Sequence, residues 1–225
     1  MAVENLKKEN ITNNVFMVGN TVIDALYLGL DIIKNNNNFK KYQDFFSFLD
    51  FSQRIVLITG RRRESFGSGF EQICQAISTI ANEYQNVQFV YPVHLNPNVR
   101  EPVNRILQHI KNIHLLEPLD YPFLLFLMDK CYLVLTDSGG IQEEAPALGK
   151  PVLVTREVTE RQEGVEAGTA RLVGADYGTI VSAMKELLDN DNTYSEMANS
   201  INPYGDGTSS KKIAKILQDI FVGEQ

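Results

Sequence analysis

The chain has 225 residues, with 21 Lys and Arg against 28 Asp and Glu and a formal charge of −7 at pH 7. This length fits one large domain, or one domain with appendages. Hydrophobic residues make up 44% of the chain, so a sizeable core can form and wholesale disorder is excluded. The acidic balance argues against a nucleic-acid partner, because surfaces that bind nucleic acids are normally basic.

Cysteine usage and hydropathy indicate the cellular compartment in which the protein is expected. No apolar run approaches the roughly 20 residues that span a bilayer, and the N-terminus lacks the pattern of a signal peptide. Cys74 and Cys131 lie 57 positions apart, which fits neither a metal-ligand spacing nor a disulfide framework. Both fall in apolar patterns, so we predict that they are core residues. We expect a soluble cytoplasmic protein with no membrane partner.

Short β-branched runs alternate with longer segments of helical period, which indicates an α/β domain with a doubly wound, mostly parallel sheet. The predicted strands are residues 15–18, 54–59, 87–91, 112–116, 132–136, 151–154 and 170–173. Helices are predicted at 22–34, at 208–221 and along the apolar stripe from Phe70 to Tyr84, with an amphipathic stretch at 39–51. The asparagine run 35–38 between two of these segments predicts a surface loop.

The loop after strand 132–136 is the first candidate site, because ligands of parallel α/β sheets bind beyond the carboxyl ends of the strands. Residues 136–145 read Thr-Asp-Ser-Gly-Gly-Ile-Gln-Glu-Glu-Ala. A helix N-terminus with exposed backbone N–H groups favours an anion such as phosphate. Glu144 would then lie one turn away, placed to accept hydrogen bonds from a ribose diol. The alternative is that Glu143 and Glu144 only complement the helix dipole. The residues that open this helix are Ser138, Gly139 and Gly140.

Two further loops follow predicted strands. Residues 59–67 carry three consecutive arginines between two glycines, which suits a diphosphate through charge-assisted contacts, although an arginine run is also typical of a solvated face. His94 follows the strand 87–91 and is one of three histidines; a lone histidine is usually structural, so it carries no assignment on its own. The sequence contains no zinc spacing, Walker loop or Gly-x-Ser-x-Gly elbow.

Taken together, these strings resemble the non-hydrolysing UDP-N-acetylglucosamine 2-epimerases, which interconvert UDP-GlcNAc and UDP-ManNAc. The resemblance implies the two-domain glycosyltransferase-B architecture, in which two Rossmann-like domains enclose the active site. It runs in order from about residue 3 to residue 221, and the matching segments are 19–26, 59–67, 91–103, 116–121, 136–154, 159–164 and 202–207.

The resemblance covers only the C-terminal, UDP-binding half of such an enzyme. It implies a hinge region at 1–18, a Rossmann-like UDP-binding domain at 19–207, and a C-terminal helix at 208–225 that packs back toward the N-terminal domain. The half that supplies the acid–base carboxylates around C2 of the sugar has no counterpart in this sequence. We therefore expect the chain to be inactive alone, with a separate N-terminal half as a partner and a homodimer for the complete enzyme.

The resemblance also implies roles for individual residues. Arg161 is a further phosphate-side contact and Glu144 the ribose contact. The uracil lies against the 116–123 loop, with Tyr121 and Phe123, and His94 is an allosteric or substrate-side position. The diphosphate is held by Ser138, Gly139 and Gly140. The implied reaction is elimination of UDP across C1–C2 followed by re-addition, which requires neither NAD nor a metal.

Two positions depart from the family pattern. The loop 59–67 carries the family's catalytic motif, here with Arg61, Arg63 and Glu64, and the family has histidine where this chain has Arg61. Arginine stays protonated, so it can neutralise diphosphate charge but cannot shuttle a proton. Gln162 stands where the family usually has proline, which changes the stiffness of that loop.

Two alternatives belong to other functional classes. The chain can be a stand-alone UDP or UDP-sugar binding module without catalysis, or the donor domain of a nucleotide-sugar glycosyltransferase. The string at 136–144 together with Thr159-Glu160-Arg161 disfavours the glycosyltransferase.

Overall fold

The computed structural model describes residues 2–35, 39–60 and 67–223. This part of the chain is built on a six-stranded sheet with the strand order β3-β2-β1-β4-β5-β6. Every neighbouring pair is parallel. The strands are β1 (Arg54–Thr59), β2 (Val87–Pro92), β3 (Ile113–Leu116), β4 (Leu133–Thr136), β5 (Val152–Val154) and β6 (Ala170–Leu172). The order reverses between β1 and β4, which defines a doubly wound fold and confirms the predicted class.

Five of the helices that the structure describes alternate with these strands, three precede β1 and three follow β6. They are α1 (Ala2–Lys8), α2 (Thr21–Asn35), α3 (Phe39–Phe45), α4 (Ser68–Glu83), α5 (Pro97–Leu107), α6 (Tyr121–Lys130), α7 (Gly139–Ala147), α8 (Gln162–Glu166), α9 (Tyr177–Asp189), α10 (Asp191–Ala198) and α11 (Ser209–Gly223). The helices predicted from the apolar patterns are confirmed, except that α3 ends well before residue 51. Asn35 belongs to α2, and the rest of the predicted asparagine loop, 36–38, lies outside the described residues.

Six of the seven predicted strands are present, each within one residue of its predicted ends. The strand predicted at 15–18 is wrong, because that segment pairs with no strand of the described chain. Phe16 is half exposed and Met17 is 88% exposed. The segment instead runs beside α11, with which it lines a groove. A β-branched run predicts a strand only where a neighbouring strand is available to complete its hydrogen bonds.

Helices cover both faces of the sheet. On one face α2, α3, α6 and α7 pack on Leu57 and Val134 through side chains such as Leu26 and Phe126. On the other face α4, α5, α9 and α10 enclose a second cluster. Cys74 and Cys131 are buried, one in each cluster, and burial raises the pKa of each thiol to about 12. Their assignment to the core is confirmed.

The all-parallel order has one consequence for function: the carboxyl ends of the strands meet at a single edge of the sheet. Gly60, His94 and Ser138 follow β1, β2 and β4 and line one cavity at that edge. The three predicted loops therefore meet as far as the structure describes them. No helix among the described residues is both long enough and apolar enough to cross a bilayer.

Candidate functional site

A cavity of about 270 Å³ opens at the carboxyl edge of the sheet, where the strand order reverses between β1 and β4. Apolar walls with a few converging polar groups are typical of small-molecule sites. The lining residues are Thr59, Gly60, Pro92, His94, Pro118, Leu119, Leu124, Asp137, Ser138, Gly140, Ile141 and Glu144. The loop residues 61–66, which include the predicted catalytic positions Arg61, Arg63 and Glu64, lie outside the described residues.

The start of α7 forms the polar floor of this cavity. Ser138 occupies the N-cap position in an extended conformation, and its side chain makes no capping hydrogen bond. Its backbone N–H donates to Thr136 Oγ1 at 2.9 Å, and that oxygen lies 2.6 Å from Thr59 Oγ1, so two hydroxyls tie the turn to β1 and β4. The first N–H groups of a helix have no acceptor within the helix, so those of Gly139 and Gly140 can bind an anion.

The space around Gly139 and Gly140 explains why both positions are glycine. A Cβ on Gly140 would meet no atom closer than Ser138 Oγ at 4.0 Å, so the backbone lies open to a ligand. A Cβ on Gly139 would lie 3.3 Å from Cζ of Arg161, because the guanidinium rests on this glycine. A methyl group there would push the arginine away from the start of α7.

Arg161 is fixed by the residues around it. Its Nε donates to Glu143 Oε1 at 2.8 Å, and Glu143 Oε2 accepts from Asn20 Nδ2 at 2.6 Å. Its backbone N–H donates to Thr159 Oγ1, whose hydroxyl donates in turn to the buried Gln142 Oε1 at 2.7 Å. The positively charged guanidinium of Arg161, the predicted phosphate contact, therefore lies beside the N-terminus of α7, where an anion can bind.

Glu144 lines the cavity one helical turn after Gly140. Its Oε1 accepts a hydrogen bond of 2.8 Å from the Tyr121 hydroxyl. Burial raises the pKa of Glu144 above its usual value, the neighbouring Glu143 adds to this rise, and the hydrogen bond from Tyr121 opposes it. The carboxylate is therefore a strong acceptor held in a partly dehydrated position.

The remaining predicted residues differ in placement. His94 lines the cavity and its Nδ1 accepts from the backbone N–H of Asn96 at 3.2 Å, so the neutral ring carries its proton on Nε2. Phe123 packs among aromatic rings, 5.0 Å from Tyr42 and 4.7 Å from Phe45 between centroids, and is not a lining residue. Its contact with uracil stays a prediction.

The partners of three consecutive polar residues on α7 were not predicted. Gln142, Glu143 and Glu144 are all buried, and each has a different side-chain partner outside α7. Buried polar groups need partners, and here these are the 159–161 loop, Asn20 with Arg161, and Tyr121. For Glu143 the sequence alone indicates no more than an interaction with the helix dipole. The sequence signal that could have indicated these partners is a run of three polar residues in a short helix between two buried strands.

Gln162 shows how the departure from proline is accommodated. Its Nε2 donates to the Thr159 carbonyl at 2.8 Å, at the first residue of α8. The side chain thus bridges the turn that a proline ring would stiffen. Among the residues that the structure describes, no group of three or more His, Cys, Asp or Glu side chains is arranged to hold a metal ion.

The strand order defines a doubly wound α/β domain of the kind that forms one half of a glycosyltransferase-B-type enzyme. The family model described as UDP-N-acetylglucosamine 2-epimerase matches residues 1–218, and the chain belongs to this family.

Individual relatives agree with this assignment. The UDP-N-acetylglucosamine 2-epimerase of Salmonella typhimurium is 52% identical over 221 residues, which cover 97% of this chain and 59% of the relative. The Campylobacter jejuni enzyme is 48% identical over 222 residues, covering 96% and 58%. The crystal structure of the Neisseria meningitidis enzyme bound to UDP-GlcNAc superposes with a TM-score of 0.91 at 44% identity, covering 97% of this chain and 59% of that one. The chain thus spans about three fifths of the length of these relatives.

Proposed function

We propose that this chain is the UDP-binding part of a UDP-GlcNAc 2-epimerase and that UDP occupies the cavity at the start of α7. One observation carries the proposal: a glycine-rich helix start and a buried carboxylate line one cavity, and an arginine that does not line it rests on the same helix start. Arg161 rests on Gly139, Gly140 is open to the cavity, and Glu144 lines it one turn further on. The Neisseria meningitidis relative was crystallised with UDP-GlcNAc, which supports this ligand.

The diphosphate is assigned to Ser138, Gly139 and Gly140 because they combine a hydroxyl with helix N-terminal N–H groups. Arg161 adds charge beside them, and guanidinium groups bind phosphate with more than one N–H donor. Glu144 accepts from the ribose diol. The uracil ring fits the apolar part of the cavity, where Leu119 and Leu124 lie.

The proposed reaction breaks the bond between C1 of the sugar and the β-phosphate oxygen while a base removes the proton from C2. UDP leaves with the bonding electrons and a 2-acetamidoglucal remains. UDP then adds back to C1 as C2 receives a proton on its opposite face, so no net oxidation occurs. In this chain the start of α7 and Arg161 stabilise the negative charge that develops on the departing diphosphate.

Proton transfer at C2 needs an acid and a base on opposite faces of the sugar. We propose that these groups belong to an N-terminal half of the kind that the relatives contain, and that residues 1–18 and 208–225 contact it. Apolar side chains support this contact. In the groove between the two segments, Phe16 is 51% exposed and Leu217 48% exposed.

Calorimetric titration with UDP and with uridine tests the proposal. Uridine lacks the diphosphate, so we expect UDP to bind markedly more tightly than uridine. The absence of UDP binding at millimolar concentration, or equal binding of the two ligands, would contradict the proposal. A chain that binds UDP but never supports epimerisation, even with an N-terminal half, would match the alternative of a binding module without catalysis.

A further inference from the structure

We propose that Glu143 is a positioning residue that fixes the Arg161 guanidinium for the diphosphate, an inference that rests on the function proposed above. Glu143 and Arg161 both lie outside the residues that line the cavity, and of the two it is Arg161 whose guanidinium rests on the start of α7. Glu143 lies on α7 between Gln142 and Glu144, and it is 8% exposed. Its role would be exerted through the arginine alone.

Both carboxylate oxygens of Glu143 are used. Oε1 accepts from Arg161 Nε at 2.8 Å and Oε2 accepts from Asn20 Nδ2 at 2.6 Å. The carboxylate therefore joins the residue before α8 to the residue before α2, across the first turns of α7. A carboxylate held at both oxygens has one orientation, and it gives that orientation to the arginine bound to it.

The bond through Nε decides which part of the guanidinium remains for a ligand. With Nε engaged by Glu143, the terminal Nη1 and Nη2 groups remain as donors for a ligand, and Nη1 also lies 4.0 Å from Glu160 Oε2 in an ion pair. Cζ and Nη2 lie 3.3 and 3.5 Å from the position of a Cβ on Gly139, so the guanidinium sits at the start of α7. The Arg161 side chain is 35% exposed, and without Glu143 its flexible stem would sample other rotamers.

Removing the charge of Glu143 should have opposite effects on UDP affinity if Glu143 acts by electrostatic repulsion and if it acts by positioning Arg161. Glu143 is an anion close to the proposed phosphate position, so removing its charge should strengthen UDP binding if electrostatic repulsion were its main effect. If Glu143 positions Arg161, removing the clamp should weaken UDP binding. The sign of the change in affinity therefore separates the two accounts.

Glu143→Gln is the sharpest single substitution because it keeps the size of the side chain. Its amide oxygen can still accept from Arg161, but its amide nitrogen then faces Asn20 Nδ2, donor against donor. Asn20 cannot turn its amide over without loss, because its Oδ1 accepts from the Val22 N–H at 3.1 Å. We expect UDP affinity to fall by about fivefold or more, the scale of a lost charge-assisted hydrogen bond.

A second substitution should restore the clamp. In the Asn20→Asp, Glu143→Gln double variant, the carboxylate introduced at position 20 would accept from both the glutamine amide and the Val22 N–H, while the glutamine oxygen accepts from Arg161. The negative charge has moved from one side of the pair to the other and the pattern of donors is complete again. We expect UDP affinity to return to within about twofold of the unsubstituted chain, which is the rescue that complementary partners give in a double-mutant cycle.

Calorimetry with UDP and uridine on the three proteins is the test. Lower UDP affinity in Glu143→Gln, unchanged uridine affinity and rescue in the double variant are expected. If the single variant does not fold, Asn20→Ala replaces it: it keeps both Glu143 and Arg161, removes the hydrogen bond to Glu143 Oε2, and should lower UDP affinity. If Glu143→Gln binds UDP as tightly as the unsubstituted chain, or more tightly, the positioning role of Glu143 is overturned, while the proposed function is not. Failure of the unsubstituted chain to bind UDP would overturn the proposed function itself.

Discussion

The hydroxyl of Tyr121 donates a hydrogen bond of 2.8 Å to Oε1 of Glu144, at the wall of the cavity. The pKa of Glu144 is raised chiefly by burial, and this hydrogen bond works in the opposite direction because it stabilises the ionised carboxylate. Tyr121 thus extends the pH range in which Glu144 is a charged acceptor. The pair gives the proposed ribose contact a pH dependence that can be measured.

Tyr121→Phe should shift the pH dependence of UDP binding upward. Without the hydroxyl, the pKa of Glu144 rises further, so the carboxylate is protonated and its acceptor strength falls at a higher pH than in the unsubstituted chain. UDP titrations between pH 5 and 8 measure this, and comparing the variants cancels the ionisation of UDP itself. Tyr177→Phe on α9 is the matched control. Identical pH profiles for the chain and Tyr121→Phe would show that the bond does not tune Glu144.

Glu144→Ala should weaken UDP binding by roughly 1–3 kcal/mol, the usual cost of losing hydrogen bonds to a charged group. This is about a 5- to 150-fold change in Kd. Glu186→Ala removes the same charge from α9, where Glu186 pairs with Arg171 outside the cavity, and should leave Kd unchanged. Equal effects of the two substitutions would rule out a specific ribose contact.

Glu144→Gln should stabilise the unliganded fold at neutral pH. The folded pKa of Glu144 is raised, so burying the ionised carboxylate destabilises the fold above that pKa. Below its unfolded value of about 4.5 the carboxyl is protonated in both states and this penalty disappears. The gain in unfolding free energy should therefore be present at pH 7.5 and shrink toward pH 4. Denaturant titrations at the two pH values measure it, and a gain that does not change with pH would contradict the assigned cause.

Arg61→His tests a position that lies outside the described residues and that the sequence predicts to face the diphosphate. Arginine keeps its charge, so UDP affinity should change little between pH 7 and 9. With histidine, affinity should fall as pH rises above the imidazole pKa of about 6.5, because the neutral ring no longer offsets phosphate charge. Titrations from pH 7 upward measure the difference. A flat dependence in both proteins would show that residue 61 does not face the diphosphate.

The sheet could be predicted from sequence because its strands are buried on both faces and read as continuous apolar runs. Residues 54–59 are an example, and the strand has those bounds. Residues 15–18 carry the same local pattern but pair with no strand among the residues that the structure describes, and the local pattern alone does not reveal this.

In the candidate site, too, one part could be predicted from the sequence and another could not. The turn at Ser138–Gly140 was predictable because glycines between a strand and the following helix are by themselves typical of an anion-binding turn. The role of Glu143 was not, because its partners Asn20 and Arg161 lie 123 and 18 residues away in sequence and meet only in the fold.

Proton NMR of UDP-GlcNAc in D2O tests the central claim most directly, with the 225-residue chain alone and with the chain fused behind the N-terminal part of the Salmonella typhimurium relative. Elimination and re-addition exchange the hydrogen at C2 with solvent. The fusion is made in the Arg61→His form so that the family's histidine is present. We predict no deuterium at C2 with the chain alone, and both deuterium at C2 and a growing UDP-ManNAc anomeric signal with the fusion. Exchange catalysed by the chain alone, or none by a fusion that binds UDP, would contradict the account.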